Sequence, residues 1–121
     1  MLSESQISRL LDIANAACHK GNAADARVIY DGVLALRPGF VPALIGMALS
    51  HIVVNEFEKG EALLKAVLEE HADDADAQAM LGLCYVLVDR REEAEAILTP
   101  LAESQEPTAE LAASLLEKLR S

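Results

Sequence analysis

The chain has 121 residues, enough for one domain with a continuous core. Its formal net charge of −10 excludes the basic footprint that nucleic-acid phosphates require. Phe, Tyr and Trp make only 3% of a chain that is 52% apolar, so Ala, Leu, Val and Ile must build the core, and no period-two runs of β-branched residues call for a sheet.

The start, Met-Leu-Ser-Glu-Ser-Gln, has no basic region followed by an apolar stretch, so a cleaved secretory signal is not expected. No apolar run reaches the ~18 residues of a membrane span. The most apolar stretch, 43–54, is interrupted by Ser50 and His51. Cys18 and Cys84 show no CxxC or Cys/His metal spacing and read as reduced packing residues of a cytoplasmic protein.

A 34-residue period organises the chain into windows 7–40, 41–74 and 75–108, which align without a gap. The eighth place holds Ala14, Ala48 and Gly82, and the twentieth holds Ala26, Gly60 and Ala94. The fifteenth, where a turn is needed, holds Gly21, Asn55 and Asp89. Such a period marks a solenoid, in which each unit buries its apolar face against its neighbours.

In chain order, Ser3-Glu4-Ser5-Gln6 has capping-box spacing before a first helix over 7–19, with Leu10, Ile13, Ala14 and Ala17 expected inward. Gly21-Asn22 stops it, and a second helix over 23–36 turns Ala26, Tyr30, Val33 and Leu34 inward before Arg37-Pro38-Gly39 ends it. The second window predicts helices over 41–54 and 57–70, the third over 75–88 and 91–103. Pro100 should kink that last helix or end it early. The small residues at places eight and twenty should face each other where paired helices cross. After Pro107 a closing helix over 108–120 carries Leu111, Leu115, Leu116 and Leu119 on one face.

Nothing in the chain makes a catalytic constellation, a cofactor loop or a metal site, so no enzyme activity is expected. His71, Asp73, Asp74 and Asp76 lack the glycine and the terminal Glu of a calcium loop; Asp73 or Asp74 should cap the next helix. Cys18 and His19 are adjacent on a helix and point apart. His51 occupies an inward place and reads as a packed core residue.

Leu81-Gly82, Tyr85, Ala94, Leu98 and Pro107 in the third window, and Ile13-Ala14, Ala26, Tyr30 and Pro38 in the first, resemble the tetratricopeptide repeat over residues 7–108. Leu10, Leu44 and Gln78 stand where the family has tryptophan, and Gly60 stands where it has alanine. The resemblance implies an all-α fold: a three-repeat helix-turn-helix solenoid with a C-terminal capping helix, forming one domain over 1–121. It also implies a concave groove lined by the first helix of each repeat. Transferred place by place, the groove takes Leu11 and Asn15 from the first repeat, beside Ser8, Cys18 and His19. It takes Ile45, Leu49, Ile52 and Val53 from the second, beside Pro42. From the third it takes Ala79, Leu83, Val86 and Leu87 beside Asp76, with Met80 within reach.

Family members that grip chaperone carboxylates use Lys, Asn and Arg there, and this chain offers only Asn15. An aliphatic groove suits an amphipathic helix or extended apolar segment of a protein partner, or self-burial through a homodimer or the chain's own end helix. The charge is uneven, zero over 1–40 and over 109–121 and −5 in each of the second and third repeats, which favours a neutral or basic partner. Size, acidity and groove are similar to those of small tetratricopeptide chaperones of bacterial type III secretion, so the expected role is a chaperone or adaptor. The alternative is a self-associating scaffold subunit of a larger assembly.

Overall fold

The computed structural model describes residues 2–121; Met1, which opens the N-terminal sequence considered above, lies outside them. Among the described residues there are seven helices and no strands: α1 (Glu4–His19), α2 (Ala23–Leu36), α3 (Val41–Ile52), α4 (Phe57–Glu70), α5 (Ala75–Leu87), α6 (Arg91–Ala102) and α7 (Ala109–Arg120). Local chemistry sets their bounds. Gln6 N–H donates to Ser3 Oγ at 3.2 Å and Ser3 N–H to Gln6 Oε1 at 2.8 Å, a reciprocal capping box that starts α1 at Glu4 rather than at residue 7. Asp74 caps α5 by accepting from Ala77 N–H at 2.9 Å.

The three residues at the fifteenth place all adopt the left-handed conformation that reverses the chain: φ is 85° at Gly21, 66° at Asn55 and 60° at Asp89. Gly accepts this without strain, and Asn and Asp are the side-chain-bearing residues that tolerate it best. α6 is 12 residues long against 14 for α2 and α4. Pro100 inside it removes a backbone donor near its end, and the helix closes at Ala102.

The described residues form two compact units, 2–63 and 64–121. In the first, α1 packs on α2, α2 on α3, and α1 on α3. Its core is Ile7, Leu11, Ala14, Cys18, Ala26, Tyr30, Val33 and Ala43. The start of α4 belongs to this unit, where a Cβ at Gly60 would lie 2.8 Å from the Ile52 side chain and 3.3 Å from the Ala48 carbonyl. The eighth- and twentieth-place residues of that repeat therefore meet at the helix crossing. In the second unit α5 packs on α6, α6 on α7, and α5 on α7. Its buried residues include Leu81, Cys84, Tyr85, Ala94, Leu98, Leu101, Ala112 and Leu116.

Two inward assignments need correction. Ile13 is 53% exposed, and the buried stripe of α1 is Ile7, Leu11, Ala14 and Cys18. That stripe shares Ala14 with the expected one and is turned toward both α2 and α3; Leu10 and Ala17 flank it half-buried. On α7, Leu111 is 40% exposed and Ala112 takes the buried place.

Candidate functional site

α5 must satisfy two neighbours. Ala77, Leu81, Gly82, Cys84 and Tyr85 are buried, and a Cβ at Gly82 would lie 2.3 Å from Leu98 Cδ2 of α6, so the two helices touch backbone to side chain. Leu83, Val86 and Leu87 remain, spaced i, i+3, i+4 along one edge. α7 lies beside that edge and brings Leu115, Lys118 and Leu119 to it at the same spacing; Lys118 is exposed, whereas Leu115 and Leu119 are buried in the unit's core and reach the cleft only with their edges. Between the two triads is a cleft of about 400 Å³, lined also by Asp89 and Arg91 of the α5–α6 turn.

The turn itself is held firmly. Arg90 N–H donates to the Tyr85 carbonyl at 2.9 Å, and the Arg90 guanidinium stacks 4.6 Å from the Tyr85 ring centroid. Arg91 Nε donates to Asp89 Oδ1 at 3.1 Å. Leu83 and Val86 are half-buried and Leu87 is 52% exposed, so the floor is apolar and reachable.

In the first unit the expected groove residues divide. Ile45 and Leu49 are half-buried and Val53 is exposed, on one face of α3 and its C-cap. Leu11 and Ile52 are buried within this unit, as Ala79 is in α5 of the second, so these three hold helices in place and present little surface. Met80 is half-buried. Asn15 is half-buried and committed inward: its Oδ1 accepts from the hydroxyl of the buried Tyr30. Cys18 Sγ lies 3.7 Å from the same hydroxyl, and burial pushes the Cys18 thiol and the Tyr30 phenol above their usual ranges.

His51 is not an apolar core residue. Arg27 donates from Nε to Ser50 Oγ at 2.9 Å, and from a terminal nitrogen to the Ser50 carbonyl at 3.1 Å and Glu56 Oε1 at 2.7 Å. His51 Nδ1 sits between, 3.0 Å from Arg27 and 2.9 Å from Glu56, so by tautomer it accepts from one or donates to the other. The hydrogen bonds from His51 and then Arg27 hold the Glu56 carboxyl down at about 2. Only Ser50-His51 interrupting the apolar stretch hinted at this network.

Neither cysteine forms a disulfide, and both are buried. Among the described residues no three His, Cys, Asp or Glu side chains gather as a metal ion would need, and no helix is long and apolar enough to cross a membrane.

Comparison with known proteins adds to this geometry. The tetratricopeptide repeat model matches residues 17–83 and 55–119. No curated protein sequence matches the chain. Among solved structures, PcrH from Pseudomonas aeruginosa is similar with a TM-score of 0.75 at 16% identity, covering 100% of this chain and 96% of that one. SycD of Yersinia enterocolitica, described as a type III secretion translocator chaperone, gives 0.74 at 15% identity, covering 99% and 87%. MamA of AMB-1 gives 0.70 at 19% identity, covering 97% of this chain and 63% of that one. At these identities the likeness is one of fold.

Proposed function

The chain belongs to the tetratricopeptide-repeat family, and from that membership we propose that it is a protein-interaction module whose first-helix faces bind an apolar or amphipathic segment of a partner. The observation that carries this reading is the aliphatic surface left open on those helices: Leu83, Val86 and Leu87 around the cleft of α5, and Ile45 and Val53 on α3 with the exposed part of Leu49, whose other side packs on the first unit's core. Open aliphatic edges next to a preformed cleft favour burial against a partner's apolar side chains. The module acts in the cytoplasm as a single domain without enzymatic activity. Its role is that of a chaperone or adaptor; the similarity to a type III secretion translocator chaperone supports that narrower assignment.

A second reading, a self-associating scaffold subunit, is favoured by α2. Val28 is 71% and Leu36 57% exposed there, one turn on either side of Gly32, whose missing Cβ would touch nothing in the chain.

The test is affinity capture from the native cell with the wild-type chain and with the Leu49→Glu/Leu83→Glu double variant. Both side chains are half-buried, at the same place of successive repeats, and a carboxylate there would lie against a partner's apolar atoms at high cost. The expected result is a helical, soluble variant that loses a small apolar partner captured by the wild type. Normal capture by a folded variant contradicts the reading; loss of large complexes of the chain itself supports the scaffold instead.

A further inference from the structure

The charge on the cleft has the opposite sign to the charge on the chain. Its ionisable lining is Asp89, Arg91 and Lys118. Asp89 and Arg91 pair at 3.1 Å and largely offset one another. Lys118 is exposed in the last turn of α7 and has no ion-pair partner among the described residues. Glu117, its neighbour in sequence, does not line the cleft. An exposed lysine without an ion-pair partner thus lines a cleft whose apolar walls are Leu83, Val86, Leu87, Leu115 and Leu119, in a chain of net charge −10.

We propose that this cleft takes an aliphatic side chain of a partner segment that carries a carboxylate beside it, the apolar group entering between α5 and α7 and the carboxylate meeting Lys118. The proposal rests on the interaction reading above and specifies its partner: an acidic amphipathic segment, not the neutral or basic one that the net charge favours. Local charge decides because at physiological salt the Debye length is about 8 Å, so acids farther than that from Lys118 are largely screened while a carboxylate in contact with it is not. The volume is ample for one aliphatic side chain, lying at the low end of the roughly 300–1,000 Å³ of clefts that enclose whole small molecules.

The test uses two fluorescent amphipathic peptides with one leucine pattern, the residues flanking the leucines being Glu in one and Lys in the other. Their affinities for the full chain are measured by anisotropy at physiological salt. The expected result is that the Glu peptide binds tighter by up to about fivefold, the scale of one solvent-exposed ion pair. The preference should vanish in Lys118→Gln and persist in Lys118→Arg. Tighter binding of the Lys peptide, or a preference unchanged in Lys118→Gln, overturns the proposal. Equal binding of both peptides that Leu87→Glu abolishes also overturns it while leaving the interaction reading intact; binding of neither peptide defeats both. Octanoate binding in the cleft while neither peptide binds would assign it to a free aliphatic carboxylate and would likewise overturn the proposal.

Discussion

The first and second units use one arrangement of three helices, α1–α2–α3 and α5–α6–α7, and equivalent positions lie 68 residues apart, two repeats of 34. Yet the side chains between the first and third helices differ in kind. Asn15, Cys18, Ser50 and His51 of the first unit correspond to Leu83, Val86, Lys118 and Leu119 of the second; Tyr30 corresponds to Leu98 and Arg27 to Glu95. In the first unit each of those four has a partner inside the chain: Tyr30 reaches Asn15 and Cys18, and Arg27 reaches Ser50 and His51. In the second the equivalents are the walls of the cleft. The repeat therefore fixes where side chains stand, while their chemistry decides whether they bind one another or remain available to a partner.

The largest expected effect separates the units by the stiffness of what each glycine faces. A Cβ at Gly46 would lie 2.2 Å from Tyr30 Cε1, and one at Gly82 2.3 Å from Leu98 Cδ2. A buried ring tied by its hydroxyl cannot yield as an isobutyl group can. Gly46→Ala should cost about 3 kcal/mol and Gly82→Ala about 1–2 kcal/mol in urea unfolding. Equal costs would show that the ring is no stiffer than the leucine.

Next, Arg27→Met should lose about 1–3 kcal/mol, because the Ser50 carbonyl and Glu56 lose a charged donor. Glu95→Gln at the equivalent exposed place should stay within about 0.5 kcal/mol. Similar losses in thermal melts would mean that the Arg27 network contributes no more than surface charge does.

Tyr30→Phe should cost about 1 kcal/mol by leaving Asn15 Oδ1 without its donor. An unchanged midpoint would show that water satisfies Asn15 equally well.

The smallest effect depends on pH. Glu56 titrates at about 2 in the folded chain against an ordinary 4.5. A depressed carboxyl stabilises fully above its unfolded value and loses that contribution as pH falls through the folded one. The gap in melting temperature between the wild type and Glu56→Gln should thus be full at neutral pH and shrink from 4.5 through about 2. A gap independent of pH would remove the charge from the explanation.

Much of this architecture was legible because it is local. The turn at each fifteenth place, the Ser3–Gln6 box and the Asp74 cap are short-range rules that need only a few residues of context. The facing of α1 was not, since two stripes through Ala14 fit helical spacing equally and packing against both α2 and α3 chose between them. Of the cleft, Leu83, Val86 and Leu87 follow from the family resemblance; Leu115 and Leu119 are the closing-helix core residues that the spacing predicts and also reach the cleft, while no spacing rule points to Lys118. Nor does any spacing rule link Arg27 to Ser50 or Glu56, because that contact exists only after three helices have assembled.

Methyl NMR of the full chain titrated with a leucine-bearing amphipathic peptide shows whether the cleft edge of α5 is an open apolar site. Saturable shifts are expected at the cleft methyls of Leu83, Val86, Leu87, Leu115 and Leu119, with the buried methyls of Ile7, Leu11 and Val33 unmoved. Shifts gathered at those buried methyls instead, with the cleft methyls silent, would contradict an open site there.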